Sequence, residues 1–191
     1  MKISLGAKTL VYPTPVLIVG TYDKEDNPNM MTVAWGGICC SSPPCAAVSL
    51  REATYTYKNI IERKAFSINI PSERYVVESD YVGMTSGKKE NKFLKTGLTA
   101  VHCEHVDAPY IEEFPLILEC QLLHTVEIGL HTQFIGEIID AKADVSVIDE
   151  EKIPSIEKVK PILFAPESRT YYGLGPFLGP AFSIGKKMKT S

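Results

Sequence analysis

Positive charge is scarce in this chain of 191 residues: 20 Lys and Arg stand against 23 Asp and Glu, a net charge of −3. A sequence-independent nucleic-acid binder needs a basic surface to neutralise phosphates, so no nucleic-acid partner is expected. The same shortage argues against docking on an anionic membrane. Long apolar runs are missing too. The most apolar stretch, Thr32 to Leu50, is interrupted by Ser41-Ser42-Pro43-Pro44, a turn signal that rules out a spanning helix. Met1-Lys2-Ile3-Ser4 runs into polar and glycine residues rather than an apolar stretch and a small-residue cleavage site, so no secretory leader is expected. Internal repeats, low-complexity tracts and linkers are also absent. A single domain over residues 1–191 with one sizeable core is the expectation.

The cysteines lack a pattern. Cys39, Cys40, Cys45, Cys103 and Cys120 are odd in number and contain no C-x-x-C spacing. Free thiols in a reducing cytoplasm are the simplest reading, and the thiols are not expected to be the redox centre. His102-Cys103-Glu104-His105 gathers three ligand types. Its spacing matches no zinc motif, and adjacent residues on a strand point to opposite faces. No metal site is expected.

What the chain does have is short apolar runs punctuated by Gly, Pro, Asn and Asp. Leu116–Ile128 alternates most clearly: Leu116, Leu118, Cys120, Leu122, His124, Val126 and Ile128 share one face, with Glu119, Gln121, Thr125 and Glu127 mainly on the other. His131–Val145 follows through Gly129-Leu130 as the return strand of a long hairpin. Further strands are expected at Val16–Tyr22, Met31–Ile38, Ala46–Arg51, Phe66–Ile70 and Ile162–Ala165, with Asp26-Asn27-Pro28-Asn29 as the first turn. Tyr55–Arg63, Arg74–Val82 and Asn91–Thr96 read as helices. Strands outnumber helices and pair locally, so a mainly β, closed or nearly closed antiparallel barrel with peripheral helices fits. A doubly wound parallel sheet does not, because strand–helix alternation is not sustained and no Gly-rich dinucleotide turn occurs.

Three clusters could carry chemistry. In the first, Trp35 (the only tryptophan) lies among small residues after Asn29 and Thr32. An aromatic beside glycines can stack on a planar ligand; a core tryptophan at a bulge is the alternative. In the second, Ser49, Arg51, Thr54 and Thr56 sit where a strand gives way to a helix. A helix N-terminus with a cation and hydroxyls makes a phosphate site, although an ordinary N-cap and a surface arginine would look the same. The third cluster is Ser86-Gly87-Lys88-Lys89 leading to Lys92. It could bring cations to an anion, or be a solvated loop.

Taken in order, these pieces resemble the flavin reductase-like family of FMN-binding split barrels, from about Pro13 to Phe164. The resemblance rests on Asn29, Met31-Thr32 and Ala34-Trp35; on Ser42-Pro43-Pro44 before a strand; and on Thr54-Tyr55-Thr56-Tyr57 with Asn59-Ile60. Phe66-Ser67-Ile68-Asn69-Ile70-Pro71, Asp80-Tyr81-Val82-Gly83 and Ser86-Gly87 complete it. It implies a six-stranded antiparallel split β-barrel, a homodimer, and one noncovalent FMN per subunit near the dimer interface. Asn29, Thr32 and Trp35 would then lie beside the flavin, with Ser49, Arg51, Thr54 and Thr56 near its ribityl chain and phosphate. Ser86, Gly87 and Lys92 would come from the following loop, and His131 and Phe164 would be further contacts. The implied function is electron carriage between redox partners. The alternative is an NAD(P)H:flavin oxidoreductase passing hydride from a nicotinamide to flavin, and a flavin sensor or store is a third reading. The Gly/Pro-rich tail, about residues 170–191, falls outside the match and would cover the site or partner subunit, or lie loose.

Overall fold

The structure is a computed structural model that describes residues 1–189; the last two residues of the tail lie outside the described ones. In chain order the elements are β1 Thr14–Pro15, β2 Leu17–Tyr22, β3 Pro28–Val33, β4 Gly36–Ser41, β5 Pro44–Leu50, α1 Tyr55–Arg63, β6 Ala65–Ile70, α2 Val76–Met84 and α3 Lys92–Thr96. They continue with β7 Ala100–His102, β8 Pro109–Ile111, β9 Leu116–Ile128, β10 His131–Ala143, α4 Ile156–Val159, β11 Leu163–Ala165 and β12 Thr170–Tyr172. The main sheet has seven strands in the order β3-β2-β6-β9-β10-β5-β4, every neighbouring pair antiparallel.

The two ends of that order are one continuous stretch of chain. β3 pairs with β2, then bends at Ala34-Trp35, and its continuation β4 pairs with β5. Counted as one bent strand, β3 and β4 close the seven into a ring of six. The Ser49 N–H donates to the Trp35 carbonyl at 2.8 Å across the closure. Gly36 sits where both neighbours press in: a Cβ there would lie 2.9 Å from Leu17 Cδ1 and 2.9 Å from the Ala47 carbonyl oxygen. The sequence places one uninterrupted strand at Met31–Ile38; the bend divides it, because a small residue allows a turn of direction that apolar alternation does not reveal.

The first turn is tighter than expected. Asp23 Oδ1 accepts the N–H groups of Glu25 and Asn27, both at 2.9 Å. Pro28 and Asn29 are thereby already in β3. The helix expected at Arg74–Val82 becomes a 3-10 turn at Glu73–Tyr75 followed by α2. The short strands β1, β7, β8 and β12 have too few residues to show a period.

Both faces of the sheet are covered. Val19, Val48, Phe66, Cys120 and Phe134 fill the barrel interior. Ile18, Met30, Val82, Phe93 and Ile111 form a second core between the barrel wall and α2 and α3. This explains Glu119, which the alternation of β9 assigns to the polar face opposite Leu118 and Cys120. It is completely buried, because residues 103–108 fold over that face. Its carboxylate accepts the His105 N–H at 2.8 Å and the Glu104 N–H at 3.3 Å, and the Lys142 ammonium lies 3.2 Å away. Asp140 and Glu119 together push the Lys142 ammonium well above its ordinary range. A buried charge is tolerated only when paired and hydrogen-bonded in this way.

Gly20 marks the tightest approach of backbone to backbone, since a Cβ there would fall 2.2 Å from the Pro109 carbonyl oxygen. Gly20→Ala should therefore destabilise the fold by at least about 1–3 kcal/mol, the usual cost of overpacking. Gly37→Ala, with open space around its Cβ position, should change stability little. Urea unfolding of the two variants side by side checks this.

Candidate functional site

The strand β5 ends at Leu50, and three exposed residues, Arg51, Glu52 and Ala53, lead into α1. Thr54 fixes that entry. Its N–H and its hydroxyl both donate to the Arg51 carbonyl, at 3.0 and 2.8 Å, and its oxygen accepts the Tyr57 N–H at 3.3 Å. One N-cap bond leaves other donors of the first turn to offer an anion, at the positive end of the helix dipole. Arg51, Lys58 and Lys88 line an open cleft of about 720 Å³ at this point, together with Tyr57, Leu130 and Thr132. Glu52 and Glu127 also border it. The loop after α2 and the β9–β10 hairpin tip thus meet the start of α1.

A second cleft of about 210 Å³ is lined by Asp23, Asn29, Tyr55, Gly87, Glu90 and Lys92, among others. Asn29 Nδ2 donates to Thr56 Oγ1 at 2.9 Å, while its Oδ1 is buried with no partner. Gly87 closes over that oxygen: a Cβ at Gly87 would lie 2.2 Å from Asn29 Oδ1 and 2.8 Å from Tyr55 Cδ1. The Tyr55 hydroxyl donates to Asp23 Oδ2 at 2.7 Å. Burial and that carboxylate push the Tyr55 phenol up to about 12. Burial also works to raise the Asp23 carboxyl, but bonds from Tyr55 and Asn27 outweigh it and hold the group low.

Lys92 is the most deeply buried charged residue lining this cleft. Only 3% of it is exposed. Its ammonium donates to the Met30 carbonyl at 2.9 Å and the Val82 carbonyl at 2.7 Å. Asn91 caps α3 by accepting the Leu94 N–H at 3.0 Å, which fixes the position from which the lysine enters. Loss of hydration pulls the ammonium down to about 8.

The residues singled out from the sequence fall into several groups. Arg51 lines the first cleft, with Ser49 and Thr54 flanking it in the chain. Asn29, Gly87 and Lys92 line the second. Ser86 is half-buried beside Gly87, and its hydroxyl accepts the Lys88 N–H at 3.4 Å. Thr56 is buried, its hydroxyl oxygen taken by Asn29. Thr32 donates to the Ser79 carbonyl beneath Gly83 of α2. Trp35 is half-buried at the closing bend, and His131 is half-buried at the start of β10. Phe164 packs in the second core, its ring 5.4 Å from that of Tyr171. The sequence assigns no site role to Tyr55, Lys58 or Asp23. Tyr55 lies inside the Thr54-Tyr55-Thr56-Tyr57 motif, and Lys58 lies one turn beyond the N-cap on the same helix. Asp23 carries no local signal, because its role depends on Tyr55, distant in sequence.

The model of the flavin reductase like domain matches residues 9–171. The chain belongs to the flavin reductase-like family. The match begins and ends outside the Pro13–Phe164 span read from motifs. Among solved structures, the flavoredoxin of Desulfovibrio vulgaris (Miyazaki F) is 58% identical with a TM-score of 0.94, covering 97% of this chain and 100% of that one. Flavoredoxin from Methanosarcina acetivorans is 31% identical with a TM-score of 0.91, covering 98% and 99%. A Shewanella frigidimarina NCIMB 400 protein with a split barrel domain, 20% identical, has a TM-score of 0.82 over 92% of this chain and 89% of its own, and shares the fold. The mainly β, antiparallel split-barrel architecture of this family member agrees with the expectation from its sequence.

The buried lysine generates a pH dependence. Its folded value lies below the ordinary 10.5, so between about 8 and 10.5 the unfolded chain binds more protons at this site. Stability linked to Lys92 therefore rises with pH through that window. The unfolding free energy of the natural chain minus that of Lys92→Met should increase from pH 7 to pH 10. Denaturant unfolding of both at several pH values checks the sign.

Proposed function

We propose that this protein binds FMN noncovalently and carries electrons between redox partners, as a flavoredoxin-like carrier. The observation that carries the reading is the 58% identity to the Desulfovibrio vulgaris flavoredoxin over the whole of that chain. The local chemistry fits such a ligand. Arg51, Lys58, Lys88 and the start of α1 suit one phosphate. The unpartnered Asn29 Oδ1 offers an acceptor for a ligand N–H or O–H, under a loop that only glycine at position 87 allows so close. A single compact phosphate cluster favours FMN over FAD. When bound, a flavin supplies a ring that takes up and releases electrons. Trp35, Thr32, Ser49, Thr54, Thr56, Ser86, His131 and Phe164 belong to the same proposed set of contacts.

The protein works as a homodimer in this reading. Phe177, Leu178 and Phe182 of the tail are exposed, as are Ile3, Leu5 and Val11 of the N-terminal arm, and apolar groups of this extent call for a covering surface. Light scattering that gave a monomer with tightly held FMN would contradict it. All five thiols are unpaired, which supports a cytoplasmic location. Among the described residues no helix is long and apolar enough to cross a membrane.

Heat release and chromatography of the flavin from purified protein should give FMN. Recovery of mainly FAD, or of no flavin after refolding with FMN, would overturn the cofactor. Stopped-flow mixing separates carrier from reductase. Slow reduction by NADH and NADPH with fast reduction by another redox protein is expected of the carrier. Fast, saturable reduction by a nicotinamide would make the protein an NAD(P)H:flavin oxidoreductase instead.

Lys92 should also set the flavin potential. A cation held near the ring favours its reduced, negatively charged form. At about 4 Å and an effective dielectric near 20 a charge pair is worth roughly 4 kcal/mol. Distance and screening reduce that to about 1.4–2.8 kcal/mol, or roughly 60–120 mV for one electron. Lys92→Met should lower the midpoint by an amount of that order at pH 7 while FMN stays bound. The difference should shrink above about 8, where the ammonium loses its proton. Redox titration of the flavin-loaded variant at two pH values is the check, and an unchanged midpoint at pH 7 would remove Lys92 from this role.

A further inference from the structure

The β4–β5 hairpin places two thiols opposite each other. Cys40 and Cys45 are direct cross-strand partners, one step inside the pair Ser41 and Pro44, and the turn between them is only Ser42-Pro43. Directly opposed Cα atoms in an antiparallel pair are about 4.5–5.5 Å apart, inside the range of about 4.4–6.8 Å that a disulfide spans. Side chains of opposed residues project from the same side of the sheet. Both thiols turn toward the hairpin end: Cys40 Sγ donates to the Ser42 carbonyl at 3.5 Å and Cys45 Sγ to the Pro43 carbonyl at 3.4 Å. Cys40 is exposed, whereas Cys45 is 4% exposed. Cys39 is exposed as well, but it falls at the register slip between Ile38 and Cys40, where the pairing gives it no residue opposite.

We infer that Cys40 and Cys45 form a reversible dithiol–disulfide site that reacts with small-molecule disulfides, Cys40 as the attacking thiol and Cys45 as the resolving one. The Cys40 thiolate attacks one sulfur of the small disulfide, forming a mixed disulfide and releasing one thiolate. The Cys45 thiolate then attacks Cys40 Sγ, forming the cross-strand bond and releasing the second thiolate. Two protein thiols are oxidised, the small disulfide is reduced to two thiols, and the two protons leave with them.

The arrangement separates the roles by access. A bulky disulfide reaches Cys40 and not Cys45, while Cys45 needs only its cross-strand neighbour. Burial first, and then the neighbouring Cys40, raise the Cys45 thiol, so the second step quickens as pH rises. The loop closed is a few residues long, so the bond gains little from loop entropy and is easily reduced again. The site lies at the far end of β4 from Trp35 and is separate from the electron path proposed above. Its loss should leave flavin reduction unchanged.

The flavin-loaded protein is incubated with oxidised glutathione, free thiols are blocked with iodoacetamide, and peptides are mapped by mass spectrometry. A Cys40–Cys45 disulfide reversed by dithiothreitol is expected in the natural chain and in Cys39→Ser. In Cys45→Ser the reaction should stall, with at least tenfold more glutathione adduct on Cys40 than in the natural chain. Persistent adduct on Cys40 of the natural chain would overturn the proposal. So would a disulfide through Cys39, a disulfide between two chains, or no reaction at all. Flavin reduction rates measured on the same samples distinguish this site from the carrier function, since they should not differ between the oxidised and reduced hairpin.

Discussion

The whole arrangement depends on one bend. Because β3 turns at Ala34-Trp35 into β4, a single stretch of chain pairs with β2 on one side and β5 on the other, and the sheet becomes a ring. The contact that allows it is the absence of a side chain at Gly36, where Leu17 and the Ala47 carbonyl both lie within 2.9 Å of a Cβ position. Without closure, the ends of β3 and β5 would be the two edges of an open sheet. With it, Asn29 at the start of β3 stands over Thr56, just beyond the end of β5. The polar clefts follow from that juxtaposition, as does the double-sided covering that buries Ile18 and Val19 in succession.

Two buried ions show how the wall is made permanent. Glu119 pins residues 104 and 105 to β9 through their N–H groups, with Lys142 balancing its charge. Lys92 ties β3 to α2 by donating to one carbonyl of each. In both cases a charged group satisfies backbone polar atoms that would otherwise be buried unpaired, at a cost of about 1–3 kcal/mol each. Charge in this protein is thus used partly as a fastener between elements remote in sequence.

Much of this was legible in the sequence. Alternation locates Leu116–Ile128 to the residue, and the capping Thr54 and the basic residue Arg63 bound α1. Short-range patterns carry those signals. The break in β3–β4 was not legible, because the apolar alternation runs through it and only sterics at Gly36 impose the turn. Alternation puts Glu119 on the face opposite Leu118 and Cys120, but that this face is covered depends on where residues 103–108 fold. At the site, Arg51, Thr54 and Gly87 stand out as residue types that suit helix entries and tight loops. Asp23 and Tyr55 do not, because their partnership spans 32 positions.

The tether at Lys92 has a property that a carboxylate in its place could not have. A protonated amine has three hydrogens to donate and a neutral one has two. Two carbonyls, of Met30 and Val82, are all that the nitrogen is asked to satisfy. Position and charge are therefore independent variables at this atom. The proton can leave with both bonds kept and no backbone displaced, and what changes is only the electric field in the adjoining cleft. A rigid barrel can in this way present two different electrostatic environments from one set of atomic positions, with solvent acidity choosing between them.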